Sequence, residues 1–210
     1  SVCERGAPDD ESAVAAALER ARAACPAPRR LAACSVNPAG LAVLESAAGR
    51  MDEPVLLVGR DLPAPIETNL PEPGAIGPDR LCAAAMAYHR LGQACVVADF
   101  GTAITVDCVD GEGVFRGGAI LPGLRLSARV LHEGTAVLPE VEPVAPEWVF
   151  GRNTAEAIGG GLVYAARGAL RELTETYATE LGSWPLLIVT GGDAEIVAAG
   201  YEFVQAVVAV

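Results

Sequence analysis

Three apolar runs follow one another with very little between them: Ala94 to Phe100, Ile104 to Val109 and Val114 to Ile120. Each has the length of a buried strand and is bounded by turn residues. The link between the last two, Asp110-Gly111-Glu112-Gly113, is a hairpin signal, because glycine beside aspartate supplies the backbone a tight reversal needs. Strands joined this tightly pair as antiparallel neighbours. The spacing therefore predicts a three-stranded meander in the middle of the chain.

The rest of the sequence is arranged around that meander as helices and single strands. Asp9, Asp10 and Glu11 precede a run of helix formers from Ser12 to Ala24, and acids in a first turn suit the helix dipole. Pro26 and Pro28 end it. Leu31 to Val36 reads as a short strand, Asn37-Pro38 starts a helix over 39–48, and Val55 to Val58 is another strand. Arg60 to Gly74 is a loop rich in proline, and a helix runs from about Pro78 to Leu91. Gly117-Gly118 and Pro122-Gly123 read as shaping a strand-to-helix turn, and Pro122-Gly123 opens a helix to about His132. A proline-rich loop leads to a long helix from Thr154 to Leu181. Leu186 to Thr190 is a buried strand, Asp193 begins a short helix, and Glu202 to Val210 is a final strand. The two halves repeat a pattern, except that the first has no opening meander. The expected fold class is α/β: two duplicated units, residues 1–92 forming an incomplete copy that ends in a helix, and 93–210 forming a βββαβα copy. Units of this kind are typical of the actin-like ATPase (ribonuclease H-like) superfold, an analogy that does not fix function.

Composition narrows the chemistry. The chain has 210 residues and a formal net charge of −12, and its arginines are scattered. A nucleic-acid partner is therefore not expected. All 15 basic residues are arginine. Without lysine there is no P-loop lysine to hold phosphates and no Schiff base. The cysteines, Cys3, Cys25, Cys34, Cys82, Cys95 and Cys108, form no CxxC pair and read as reduced, buried thiols. His89 and His132 are too far apart in sequence to suggest zinc. No apolar run is long enough for a membrane span and no signal peptide is visible, so a cytoplasmic location is expected.

Two short runs carry the chemistry. Gly77-Pro78-Asp79-Arg80 opens a helix, and Ala98-Asp99-Phe100-Gly101-Thr102-Ala103 ends a strand at a sharp reversal. Each sets a carboxylate beside glycine-bearing backbone, which suits phosphoryl transfer, where positioning and charge management dominate. On its residue type alone Asp79 is equally a base or a favourable first-turn acid. Thr154 alone would be a helix cap. A dinucleotide oxidoreductase is disfavoured, because no G-x-G-x-x-G follows a strand.

Taken in order, Gly77-Pro78-Asp79-Arg80, Asp99-Phe100-Gly101-Thr102-Ala103-Ile104-Thr105, Gly117-Gly118-Ala119-Ile120-Leu121-Pro122-Gly123 and Gly151-Arg152-Asn153-Thr154 resemble the G-x-D-R, D-F-G-T-A-x-T, G-G-A-I-x-P-G and G-x-N-T motifs of type III pantothenate kinases. Thr190-Gly191-Gly192 matches a later glycine pair. The resemblance implies ATP-dependent phosphorylation of pantothenate, with Asp79 as base and Gly77, Pro78, Arg80 and Thr154 on pantothenate. It also implies Gly101 and Thr102 on ATP, a potassium or ammonium ion on Asp99, Mg²⁺ with the nucleotide, and a homodimer. The family's D-x-G-N-T phosphate loop does not occur in these 210 residues, and Leu70 stands where a tyrosine is frequent. Little turnover by the 210 residues alone is therefore expected. A non-catalytic, ligand-binding relative of the same fold is the alternative.

Overall fold

A computed structural model of the chain describes residues 11–25, 30–51, 54–204 and 206–208. The described residues divide into two compact units, one within 11–67 and 71–83 and the other within 68–70 and 84–208. Cys3, Pro26, Pro28 and the end of the expected last strand lie outside the described residues.

In the first unit, α1 (Glu11–Ala24), β1 (Leu31–Ala33), α2 (Pro38–Arg50) and β2 (Val55–Leu57) follow in order. The strands are parallel, with Leu31 opposite Val55 and Ala33 opposite Leu57. α2 begins as its sequence demands. The Asn37 side chain accepts from the amides of Ala39 (3.0 Å) and Gly40 (3.3 Å), and Pro38 fills the first position. Leu18, Ala47 and Ala48 are buried, with Leu31, Leu44 and Val55 packed against them. At the exit of β2 the Asp61 carboxylate accepts from Leu57 N at 2.9 Å, and Arg60 binds both Asp61 and Glu45. Among the described residues this unit has no meander. The expected loop over 60–74 contains a 3₁₀ turn at Pro73–Ala75, and β3 (Glu67–Thr68) comes before it. α3 (Pro78–Leu91) contributes its first turns to this unit and the remainder to the other.

The second unit is built on the predicted meander: β4 (Cys95–Phe100), β5 (Ala103–Val109) and β6 (Val114–Pro122), all antiparallel. Then come α4 (Leu124–Glu133), α5 (Thr154–Leu181), β7 (Leu186–Thr190), α6 (Ala194–Ala198) and β8 (Ala206–Val207). The sheet order is β3-β6-β5-β4-β7-β8, with β7 parallel to β4 and β8 parallel to β7. A meander extended by parallel strands beside its first member is the expected ribonuclease H-like half of an actin-like fold. β4 is central and buried at all positions but Asp99, which is why it reads as an unbroken apolar run. α5 lays Gly159, Val163, Ala166, Leu170 and Thr174 along one buried stripe at helical spacing. Val163, Ala166 and Leu170 join Val96, Ala98, Phe100, Val106, Leu187 and Val189 in one core. Each large apolar side chain buried there contributes roughly 1.5–3 kcal/mol.

Two local readings change. Gly117 and Gly118 do not shape a strand-to-helix turn; they lie inside β6. The pairing shifts between Cys108 and Val109, leaving Arg116 as the extra residue, and Gly117 takes φ +101° at this bulge. A Cβ on Gly118 would run into the Val106 carbonyl and the Asp107 carboxylate. Pro122-Gly123 alone makes the strand-to-helix turn. The cysteines also split by exposure: Cys95 and Cys108 are buried, Cys82 is half-buried, and Cys25 and Cys34 are exposed.

Candidate active site

The residues singled out by sequence fall in two groups. Gly77, Pro78, Asp79 and Arg80 belong to the first unit; Asp99, Gly101, Thr102 and Thr154 belong to the second.

In the first group Pro78 occupies the first helical position of α3, where its missing N–H costs nothing. The Gly77 carbonyl accepts from Arg80 N (3.1 Å) and Leu81 N (3.3 Å), closing the first turn. Asp79 is exposed, Arg80 half-buried. The Asp79 side chain folds back over Gly77. A Cβ at position 77 would lie 2.5 Å from Asp79 Oδ1 and 3.4 Å from Val36 Cγ1. Glycine there leaves room for the carboxylate, which explains the first and third letters of the motif together.

In the second group the structure brings Asp99, Gly101 and Thr102 together at the carboxyl end of β4. Gly123, at the cap of α4, donates its N–H to the Thr102 carbonyl at 3.0 Å. A Cβ on Gly123 would collide with the Gly101 carbonyl and lie 2.5 Å from that of Thr102. On the other side Asp193 N donates to the Phe100 carbonyl at 3.0 Å. Gly191, at φ +102°, lies so close that a Cβ would be 2.5 Å from Asp99 Oδ1 and from both Phe100 N and O. Glycine backbone thus walls the turn on two sides. Gly123 makes no side-chain cap bond, so the first N–H groups of α4 are not capped from within. Helix amides without a side-chain cap suit an anion such as phosphate.

Arg125, in the first turn of α4, was not anticipated. Its guanidinium pairs with the buried Asp193 carboxylate and, at 2.7 Å, with Glu142. A cation at a helix N-terminus opposes the dipole, and that mismatch is the sequence signal that it is held by acids elsewhere. Asp99 stands opposite Thr190 in the parallel β4–β7 register, so both side chains share one sheet face. The Thr190 hydroxyl is buried with no hydrogen-bond partner among the described residues. A carboxylate and a hydroxyl are the oxygen donors that a hard monovalent cation would accept. The donor chemistry at Asp99 therefore fits the potassium or ammonium ion that the resemblance implies.

Thr154 is the first residue of α5, not its cap. Asn153 is the cap: its side chain accepts from Glu156 N at 3.0 Å and donates to Glu156 Oε1 at 2.9 Å. Arg152 completes the box, with its backbone N (2.9 Å) and side chain on Glu156 and its guanidinium 4.2 Å from the Trp148 ring centre. These bonds, Arg152 foremost, hold the Glu156 carboxyl below its ordinary range. Its contribution to stability is therefore present above that range and lost as pH falls through the lowered value. A Cβ on Gly151 would be 2.5 Å from Ala157 N. The motif thus reads as close approach (Gly151), cap (Asn153) and an exposed hydroxyl (Thr154). We expect Asn153→Ala to lower stability by about 1 kcal/mol in urea denaturation. No measurable change would contradict the capping assignment.

The family model for type III pantothenate kinase matches residues 4–176, a span that holds all four motifs. This chain belongs to the type III pantothenate kinase family. It is 38% identical over 169 residues to the type III pantothenate kinase of Akkermansia muciniphila, covering 80% of this chain and 69% of that one. It is 31% identical over 201 residues to that of Dehalococcoides mccartyi strain BAV1 (95% and 76%). With that of Ruegeria pomeroyi it shares 39% over 142 residues (67% and 55%). The matched part thus spans between 55% and 76% of these relatives' lengths. Among solved structures, a Campylobacter jejuni protein described as a Baf family transcriptional activator superposes with a TM-score of 0.58. It is 20% identical and covers 85% of this chain and 75% of its own, a likeness of fold. Among the described residues no helix is long and apolar enough to cross a membrane.

Proposed function

We propose that this member of the type III pantothenate kinase family transfers the γ-phosphoryl group of ATP to the hydroxyl of pantothenate. The product is 4'-phosphopantothenate and the step is the first of coenzyme A biosynthesis, a phosphotransfer to an alcohol. The observation that supports this most is that the motif glycines are required by geometry. Side chains at 77, 123 and 191 would strike the Asp79 carboxylate, the turn at Gly101-Thr102, and the Asp99 carboxylate respectively. The motifs persist as shaped backbone as well as letters.

Asp79 accepts the proton as the pantothenate oxygen bonds to the γ-phosphorus and the bond to the β–γ bridging oxygen breaks. Arg80 pairs with the acceptor's carboxylate or oxygen through its planar fork, and Thr154 offers a hydroxyl to pantothenate. Gly101 and Thr102 take the nucleotide phosphates. Asp99 would hold the monovalent cation, and Mg²⁺ would accompany ATP and spread the charge on its phosphates. Residues 1–92 carry the acceptor motif and 93–210 the nucleotide turn. The stripe of small residues at Gly159-Gly160-Gly161 is compatible with a homodimer, and the setting is cytoplasmic.

Because the 210 residues contain no D-x-G-N-T loop, turnover by them alone is expected to be slow. The same fact favours a second reading, a relative that binds these ligands without transfer. Calorimetry with pantothenate and with ATP separately, followed by an assay for 4'-phosphopantothenate, distinguishes the two. Binding with slow transfer supports the kinase, binding with none supports the second reading, and affinity for neither ligand removes both. Within the first, Thr102→Ala should raise the KM for ATP about tenfold, the loss of one hydrogen bond to a charged group. The KM for pantothenate should not move. An unchanged KM for ATP would take Thr102 off the nucleotide.

A further inference from the structure

The chemistry assigned above uses none of the cysteines, yet two of them meet beside Asp79. Cys34 directly follows β1 and Cys82 lies on α3, three residues beyond Asp79. Cys34 acts on the Cys82 thiol both by hydrogen bonding and by its charge, so the two side chains are neighbours. Their surroundings are ordered on both sides. Ser35 Oγ accepts from Asn37 N and donates to Asn37 O, both at 3.1 Å, and Asn37 caps α2. Val36 reaches to within 3.4 Å of the Cβ position of Gly77. The turn after β1 therefore comes close to the first turn of α3 at Val36 and Gly77, with Cys34 and Cys82 a few residues to either side.

We propose that Cys34 and Cys82 form a reversible disulfide that pins the first turn of α3 to the end of β1. Cys34 is exposed and reacts first; Cys82 is half-buried and resolves. The oxidant is a low-molecular-weight disulfide. The Cys34 thiolate bonds to one of its sulfurs and expels a thiolate. The Cys82 sulfur then bonds to Cys34 Sγ and expels the second. One S–S bond forms in the protein, one breaks in the oxidant, and the two protons leave on the two released small thiols. Burial pushes the Cys82 thiol up to about 12, so it is inert toward outside reagents and depends on its neighbour. Cys95 and Cys108 are buried, and burial raises them to about 12 and about 11, so an oxidant in solution does not reach them. Cys25 is also exposed and is open to a glutathione adduct, so the 34–82 link, and not modification as such, marks the pair.

Arginine positions make the test direct. Trypsin releases Cys34 on Leu31–Arg50 and Cys82 on Leu81–Arg90, apart from the other cysteines. After treatment of the 210-residue chain with glutathione disulfide, non-reducing peptide mass mapping should show these two peptides joined, lighter by two hydrogen atoms and separated by dithiothreitol. The protein should remain unlinked to other copies on a non-reducing gel. Cys82→Ser should instead keep a glutathione adduct on Cys34, and Cys34→Ser should leave Cys82 unmodified. Amide exchange at the start of α3 should slow by about tenfold or more on oxidation of the wild-type chain, and not in either variant. A stable glutathione adduct on Cys34 of the wild type, a link between other cysteines, or unchanged exchange in the linked protein would each overturn the proposal. Its consequence for catalysis rests on Asp79 being the base: oxidation then lowers the phosphotransfer rate and dithiothreitol restores it. A linked, exchange-protected chain with an unaltered rate would count against that assignment of Asp79 and leave the disulfide standing.

Discussion

Asp79→Asn should lower kcat by about 10²- to 10⁴-fold while leaving pantothenate affinity within a few-fold of wild type. Asparagine keeps the size and the position of the side chain in the first turn of α3, above the space left by Gly77. It removes only the ability to take a proton. If Asp79 served merely as an acid at a helix N-terminus, the substitution would cost a few tenths of a kcal/mol of stability and nothing in rate. Rate and stability therefore separate the two readings: a large kcat effect with an unchanged denaturation midpoint supports the base. Steady-state kinetics at saturating ATP beside a urea melt makes both measurements.

Gly191→Ala should be the most damaging single-methyl change in the second unit. Glycine at 191 holds φ +102°, and the added Cβ would sit 2.5 Å from Asp99 Oδ1 and from the Phe100 backbone. A strained backbone and a clash with atoms that cannot rotate away each cost roughly 1–3 kcal/mol. A total near 3 kcal/mol, at roughly 2–4 °C per kcal/mol for a chain of this size, lowers Tm by about 6–12 °C. Gly192→Ala is the internal control, with open space around its Cβ position and no positive φ. It should stay within about 0.5 kcal/mol of wild type. Equal effects at 191 and 192 would mean that the turn after β7 does not press on the end of β4 as described.

Much of the fold was legible because its signals are local. The meander followed from three short apolar runs, and α5 and β7 came out with the bounds expected of them, Thr154–Leu181 and Leu186–Thr190. Readings slipped where long-range packing decides. The strand expected over 31–36 stops at Ala33, since Ser35 and Asn37 spend their side chains on the turn and cap before α2. Gly117-Gly118 looked like turn punctuation, but it marks a bulge and a close approach to β5 within β6, which depend on a neighbouring strand. Asp99, Gly101 and Thr102 stand out by motif, and a tight reversal gathers them at the carboxyl end of β4. Arg125 was passed over because its partners, Glu142 and Asp193, lie far along the chain. On chemistry alone Thr154 suits a cap, and the hydrogen bonds to Glu156 show that Asn153 caps instead.

The most direct test is single-turnover transfer of labelled γ-phosphate from ATP to pantothenate, run on the 210-residue chain and on Asp79→Asn side by side. The account predicts slow formation of 4'-phosphopantothenate by the former and none above background by the latter. Equal rates in the two proteins, or no labelled product from a chain that binds both ligands, would contradict it.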